Sequence, residues 1–238
     1  RLAELEAALA APDVRAIVAA RGGYGASRFV SRVDFGALAA SPRWIVGFSD
    51  VTALHLEAQR VGVASMHAAH VTSLGRGDAH GRDAFVRALE HPTAARAFDA
   101  LGVIARGAQA GPLVGGNLTL LHASAAAGRL DLPDGCVLFL EDVTERPYRI
   151  DRMLTTLALG GHLSRVGAVV LGDFTQCDPG ADGVTVREVL VDRLAHLGVP
   201  VAYGLPAGHE IKNAPLVLGG PARLDATGAR ASLIVGDA

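Results

Sequence analysis

Three separated segments of the chain place side chains of catalytic type at the ends of apolar, strand-like runs. They are Gly47-Phe48-Ser49-Asp50, Leu138-Phe139-Leu140-Glu141-Asp142 and Gly208-His209-Glu210. Together they offer a nucleophile, a carboxylate and a base in the chain order Ser49, Glu141, His209. This order occurs in one known arrangement of the hydrolase triad, in which the carboxylate orients the imidazole and the imidazole removes the proton of the hydroxyl. As a set, the segments indicate serine-based hydrolysis.

Each of these residues also has an ordinary structural interpretation. Ser49 lies between a predicted strand and a predicted helix, as in a nucleophile elbow, but Val51 stands where the G-x-S-x-G pattern has its second glycine. A helix cap formed by Ser49 or Asp50 explains the same pattern. The charged surroundings of Glu141 fit an ion-pair cluster, and loop histidines such as His209 are commonly surface residues.

A glycine-rich turn, Arg21-Gly22-Gly23-Tyr24-Gly25, follows a short apolar run and precedes a predicted helix. Clustered glycines let backbone amides approach a ligand, so this turn is a candidate amide-donor loop near Ser49. It matches neither the Walker loop nor G-x-G-x-x-G, and a tight strand-to-helix turn explains it as well. His67 and His70 have the spacing of a metal-binding pair, but spacing supplies no third ligand, and we predict no metal.

The elements that must position these residues alternate between strand and helix. In residues 1–75, apolar runs such as 16–20 and 44–47 alternate with helical patterns, which predicts a parallel sheet covered by helices. Residues 76–108 are predicted to be a polar, helical linker region. Residues 109–238 have more strand character and are predicted to form a second, mixed α/β domain.

Composition limits the classes of function. The chain has 238 residues, 50% of them hydrophobic, and a formal net charge of -2, which indicates globular domains. It has no basic stripe for nucleic acid, no polybasic run for anionic lipid and no apolar run long enough for a bilayer. Cys136 and Cys177 lie far apart, which predicts free, buried thiols in a reducing, cytoplasmic setting. Because residues 1–11 begin as a helix without an initiator Met, we expect upstream sequence.

Together these segments resemble the LD-carboxypeptidases, which are serine peptidases that remove the terminal D-alanine from murein tetrapeptide. The resemblance extends in the family's order over nearly the whole chain and rests on Ala20 to Gly25, Val46 to Leu54, Gly115 to Leu118, Leu140 to Asp142, Tyr148 to Leu154 and Gly208-His209. It implies an α/β fold with a flavodoxin- or amidotransferase-like amino-terminal domain and a mixed α/β carboxyl-terminal domain. The family also has a segment before the position of Arg1, so we expect the first domain to be truncated, with a bare sheet edge.

The resemblance implies a role for each catalytic candidate. Ser49 would be the nucleophile and His209 the general base and then acid, with the site at the domain interface. Glu141 would orient His209, and Glu145 is the competing choice. An oxyanion hole would be formed by backbone N–H groups, best placed on Gly23 and Asp50.

The resemblance also implies a muropeptide substrate with a free carboxylate, a homodimer and no cofactor. A cation should then lie in the pocket, and Arg21 and Lys212 are the candidates. The full set of candidate substrate-binding residues is Arg21, Tyr24, Asn117 and Lys212. Relatives often have a His-Gly-Pro turn where this chain has His67-Ala68-Ala69-His70, so the loop near the pocket is expected to differ.

Two other functions fit the same sequence. The family includes immunity peptidases that cleave microcin C-type antibiotics, but these need an aromatic-lined nucleotide pocket and only 5% of this chain is aromatic. A non-catalytic α/β module could instead use the glycine-rich turns to hold an anion, with Ser49 as a helix cap only. Labelling by a serine-directed probe, lost in Ser49→Ala, separates a hydrolase from this module.

Overall fold

The computed structural model describes residues 1–237 and contains helices and two sheets. The helices are α1 (Leu2–Ala10), α2 (Phe35–Ala40), α3 (Thr52–Arg60), α4 (Val71–Arg76), α5 (Ala79–Glu90), α6 (Leu118–Ala126), α7 (Pro147–Leu159) and α8 (Val186–Leu194). The strands are β1 (Ala16–Val18), β2 (Trp44–Gly47), β3 (Ser65–His67), β4 (Arg96–Ala105), β5 (Ala108–Asn117), β6 (Cys136–Val143), β7 (Val166–Thr175), β8 (Val201–Tyr203), β9 (Leu216–Leu218), β10 (Pro221–Asp225) and β11 (Ala231–Val235). No helix within residues 1–237 is long and apolar enough to cross a bilayer.

The first sheet has the strand order β1-β2-β3-β9. Its first three strands are parallel, as the alternation of helix and strand predicts, and β9 pairs antiparallel with β3. Leu5 and Leu9 of α1 pack against one part of the sheet with Ile45, whereas Phe85 of α5 packs with Met66 in a second cluster. The helices therefore bury the apolar strand residues of this sheet.

The second sheet closes into a seven-stranded barrel in the order β10-β11-β4-β8-β7-β6-β5. Strands β5, β6, β7 and β8 are parallel neighbours, and the remaining pairs are antiparallel. One core cluster fills the barrel with side chains such as Phe139 and Leu233. A second cluster packs the outer side of β6 against α6, α7 and α8. The sequence predicts a mixed α/β region here but not barrel closure.

Strand β4 lies in the segment 76–108, which the sequence predicts to be a polar linker region with a helix and not to contain a strand. Helix α5 occupies part of that segment, but residues 96–105 pair with β11 on one side and β8 on the other. Their sequence mixes strand formers such as Val103 and Ile104 with Asp, Gly and Ala, so pairing with distant strands decides the structure rather than local propensity. Part of the segment therefore forms a strand of the barrel.

Strand β6 carries Glu141 near its carboxyl end. Residues 136–142 of this strand are all buried, which is typical of a strand in a parallel sheet covered on both faces. Each fully buried Leu or Phe contributes about 1.5–3 kcal/mol relative to an exposed one. Asn117, the last residue of β5, is the register partner of Glu141, so two polar side chains meet at the carboxyl end of the sheet.

Candidate active site

Ser49 lies in a strained turn between β2 and α3. Its φ is 61°, in the left-handed region that residues with a side chain rarely adopt. Gly47 precedes it because a Cβ at that position would lie 2.9 Å from Val51 Cγ2 and 3.1 Å from Ala19 Cβ. Ser49 begins a short 3₁₀ turn, and its hydroxyl makes no hydrogen bond with any of residues 1–237, so the helix-cap interpretation of Ser49 is wrong.

Two buried histidines hold the carbonyl groups of this elbow. Nε2 of His55 lies 2.9 Å from the Gly47 carbonyl oxygen, and Nε2 of His70 lies 3.0 Å from that of Phe48. Burial lowers the pKa of His55 to about 4 and also lowers the pKa of His70, so both rings are neutral at physiological pH. The His55 contact requires an N–H on Nε2. Nε2 of His70 also lies 3.4 Å from the backbone nitrogen of Phe48, and its shorter contact with the carbonyl oxygen of Phe48 favours an N–H on that Nε2 as well.

His70 also joins the elbow to the glycine-rich loop. Its ring stacks on Phe48 with 4.2 Å between ring centroids, and its Cε1 would lie 2.9 Å from a Cβ on Gly22. The Asp50 carboxylate accepts a 3.0 Å hydrogen bond from the backbone N–H of Ala26, just after the loop. The segment after the glycine-rich loop and the residue after Ser49 are therefore tied together.

Replacing His70 with phenylalanine is expected to lower kcat by about ten-fold, because one hydrogen bond to the elbow is lost while an aromatic ring is kept. Steady-state kinetics on a cleavable peptide measures the change. His196→Phe, at an exposed position, is the matched control and should keep the wild-type kcat. An unchanged kcat in His70→Phe would show that the contact to Phe48 does not position Ser49.

Glu141 and His209 form a close pair, 68 residues apart in the chain. Nδ1 of His209 lies 2.7 Å from Oε2 of Glu141, whose side chain is completely buried, while the His209 side chain is 16% exposed. Burial raises the pKa of the Glu141 carboxyl, and the hydrogen bond and charge of His209 oppose that rise. An ionised carboxylate can only accept, so Nδ1 carries the hydrogen and Nε2 is left free to accept a proton. Among residues 1–237, Glu141 pairs with His209 and with no arginine.

His209 also lies beside the elbow. Its ring meets the ring of Phe48 edge-on, with 4.8 Å between the centroids, and Phe48 directly precedes Ser49. No hydrogen bond of 3.5 Å or less joins Ser49 to His209 within residues 1–237. Catalytic hydrogen bonds are often longer before substrate binds, so the gap is compatible with the roles that the resemblance predicts for Ser49 and His209.

Asp173 is a titratable neighbour that sequence reasoning missed. Its backbone N–H donates to the carbonyl of Ala207, which holds the loop before His209 against β7. Burial, with the charges of Glu210 and Glu141, raises the pKa of Asp173 to about 6. Nothing in the local sequence of β7 marks this residue, because its environment comes from the loop that follows β8.

Replacing Asp173 with asparagine is expected to stabilise the fold at pH 8 and to have no such effect below about pH 4. A carboxyl whose pKa rises on folding favours the folded state in its protonated form, and that contribution is lost between its unfolded value of 3.8 and about 6. Urea midpoints of both proteins at pH 4 and pH 8 measure the difference. A gain of equal size at both pH values would exclude ionisation as its cause.

The remaining candidates lie at different places. Asn117 is buried, accepts a hydrogen bond from Leu120 N as the cap of α6, and donates to Asp142. Tyr24 is exposed and stacks with Arg28, and Glu145 pairs with Arg149 at the surface. Arg21 lines a cavity beside β1 whose lining includes Gly22 and Asp50 but not His209. Lys212 lines a cavity that lacks His209.

The inner cavity is the space of about 250 Å³ into which His209 and Phe48 face. Two arginines line it, Arg76 at the end of α4 and Arg82 in α5. Arg82 donates to the backbone carbonyl of Gly77 at 2.6 Å, which fixes it at the rim. The sequence did not reveal these arginines because they lie in the region predicted to be a linker. They place two cations in the same cavity as His209.

The mixed α/β fold and this site define a serine-type hydrolase of the carboxypeptidase class. The chain matches the LD-carboxypeptidase N-terminal domain over residues 1–68 and the LD-carboxypeptidase C-terminal domain over residues 110–224. The chain therefore belongs to the LD-carboxypeptidase family, as the resemblance of its segments predicts. It is 34% identical over 224 residues to the murein tetrapeptide carboxypeptidase of Pseudomonas aeruginosa, covering 90% of this chain and 73% of that protein.

Solved structures agree with this assignment. The muramoyltetrapeptide carboxypeptidase from Oxalobacter formigenes superposes with a TM-score of 0.87 at 31% identity, covering 99% of this chain and 83% of that one. The microcin C7 self-immunity protein MccF, in complex with aspartyl sulfamoyl adenosine, superposes with a TM-score of 0.86 at 20% identity, covering 100% and 80%. At that identity the second likeness concerns the fold alone.

Proposed function

We propose that this protein hydrolyses the LD-peptide bond that releases the terminal D-alanine of murein tetrapeptide, in peptidoglycan recycling. The observation that carries the proposal is the buried Glu141–His209 pair, 2.7 Å apart, beside the strained Ser49 in a member of this family. Murein peptides are the substrates named for the two relatives at 34% and 31% identity. No cofactor takes part in the proposed chemistry.

In the proposed reaction, Nε2 of His209 takes the proton of Ser49 Oγ as that oxygen attacks the carbonyl carbon. Glu141 stabilises the imidazolium that forms. The backbone N–H groups of Gly23 and Asp50 donate to the oxyanion, which develops only in the transition state and intermediate. His209 then gives its proton to the departing amine of D-alanine, and water hydrolyses the acyl-enzyme by the same route in reverse.

The inner cavity is the proposed place for the substrate's terminal residue. Its free carboxylate would meet Arg76 and Arg82, which line the cavity with His209. Among the residues first considered, Arg21 and Tyr24 would then act on the loop that bears Gly23, and Asn117 would support the carboxyl end of the sheet through Asp142. Charge-assisted contacts of this kind favour substrates that end in a free carboxylate over amidated ones.

The organisation of the protein is proposed on the same grounds. The resemblance to the family supports a division into residues 1–75, 76–108 and 109–238. It also supports a flavodoxin- or amidotransferase-like first part and a homodimer. A cytoplasmic location is supported by Cys136 and Cys177, which are free and buried. With these bounds, β4 of the segment 76–108 belongs to the barrel, and β9 of the segment 109–238 belongs to the first sheet.

The test is to incubate the protein, with any upstream segment restored, with murein tetrapeptide and follow the mass of the peptide. Loss of one D-alanine is expected, and a tetrapeptide ending in an amide should react at least ten-fold more slowly. A peptide that stays intact would overturn the proposal. Cleavage of an aminoacyl sulfamoyl nucleotide instead would identify an immunity peptidase, and ligand binding without cleavage would identify a binding module.

A further inference from the structure

A second cavity adjoins the inner cavity, and we propose that it binds another carboxylate of the substrate, one that lies before the scissile bond in the peptide. This outer cavity of about 370 Å³ is lined by the side chains of Arg87, Arg96, Phe98, Pro206, Ile211 and Lys212, among others. The inference rests on the proposed function, because it assigns an additional position to the same substrate.

The charges around the outer cavity favour an anion. Within residues 1–237, Arg87, Arg96 and Lys212 form no ion pair with a carboxylate. The carboxylate that lines the cavity, Asp78, accepts a 2.7 Å hydrogen bond from Gly81 N as the cap of α5. Three cations thus surround a space in which the acid is already engaged, and a carboxylate bound there would gain charge-assisted hydrogen bonds.

Arg96 is the cation that is held most firmly. Its guanidinium donates to the carbonyl oxygen of His91 at 2.9 Å and to that of Pro92 at 3.2 Å. Both carbonyls are uncharged, so they position the guanidinium without neutralising it. Partial burial lowers the pKa of Arg96, because its charge is removed from water without a carboxylate partner. A bound anion would offset that cost.

The outer cavity is open to the same ligand as the inner one. Gly81, Ile211 and Asn213 line both cavities, and Lys212 follows His209 by three residues in the same loop. Ile211 is 80% exposed at this shared border, and together with Phe98 and Pro206 it offers apolar contact to a peptide. A peptide whose last residue enters the inner cavity can therefore lie across the border with an upstream carboxylate in the outer cavity.

The inference is tested with two tetrapeptides that both end in free D-alanine and differ only in whether the upstream carboxylates are free or amidated. For the wild type, kcat/KM should be about ten-fold higher for the free acid, mainly through KM. In the double variant Arg87→Gln/Lys212→Gln this ratio should fall to about two or less. Arg230→Gln, an equal loss of charge at an exposed position in the turn before β11, should keep the wild-type ratio.

The outcomes separate the inference from the proposed function. A ratio near one in the wild type, or a ten-fold ratio that persists in the double variant with native thermal unfolding, would overturn the inference while the carboxypeptidase activity stands. If the wild type cleaves neither peptide, the proposed function fails. Calorimetric titration of the wild type with both peptides then decides the inference, and equal dissociation constants would overturn it.

Discussion

Replacing Ser49 with alanine is expected to lower kcat on murein tetrapeptide by about 10⁴-fold or more, because the reaction loses the oxygen that attacks the carbonyl. Binding should change little, since the inner cavity and its arginines remain. Release of D-alanine, followed by mass spectrometry under single-turnover conditions, measures the loss. Ser73 of α4 also lines the inner cavity, but among residues 1–237 Ser49 is the serine with the left-handed backbone of a strained turn, with φ 61°.

The backbone conformation of Ser49 suggests a second variant, Ser49→Gly, that separates the loss of the hydroxyl from backbone strain. At φ 61°, glycine is accommodated without the steric cost that a side chain incurs, so Ser49→Gly should be as inactive as Ser49→Ala. It should nevertheless be more stable than Ser49→Ala by about 1 kcal/mol in urea unfolding. Ser31→Ala, at an exposed serine, should retain full activity. Activity above a tenth of wild type in Ser49→Ala would remove Ser49 from the mechanism.

The parts of the fold that could be predicted are those encoded by local pattern. The continuous apolar run of β6 and the alternation of short strands and helices around β2 identify buried parallel strands. Strands β4 and β9 were missed, because each becomes a strand by pairing with residues about a hundred or more positions away. Barrel closure depends on the same kind of long-range strand pairing, so no local sequence pattern predicts it.

For the candidate site too, the sequence predicts some features and not others. Strand ends and chain order made Ser49, Glu141 and His209 candidates, and the resemblance to the family supplied their predicted roles. The surroundings of these residues could not be derived, since they come from contacts through space. His70 was considered as a metal partner of His67 and as part of a loop near the pocket, but not for its contacts with the backbone of Phe48 and with Gly22. Asp173 likewise acquires its raised pKa from a loop that local sequence does not connect with it.

Replacing Glu141 with glutamine is expected to lower kcat by about 10³–10⁴-fold. The glutamine amide can donate to Nδ1 of His209, which would place the hydrogen on Nε2 and leave no lone pair facing Ser49. It would also remove the negative charge that stabilises the imidazolium. The pH dependence of kcat/KM and the rate of D-alanine release, compared with the wild type, measure both effects.

Two measurements distinguish an orienting role of Glu141 from a purely structural one. They are the stability of Glu141→Gln and the activity of a matched variant at Glu145. Because burial raises the pKa of Glu141 above 4.5, its ionisation opposes folding above that pH, so Glu141→Gln should unfold at equal or higher urea concentration than wild type at pH 8. The difference should vanish below about pH 4, where both side chains are neutral. Glu145→Gln, which removes only the surface pair with Arg149, should keep nearly wild-type activity. If Glu145→Gln were inactive and Glu141→Gln active, the orienting carboxylate would be Glu145, and the 2.7 Å contact between Glu141 and His209 would have only a structural role.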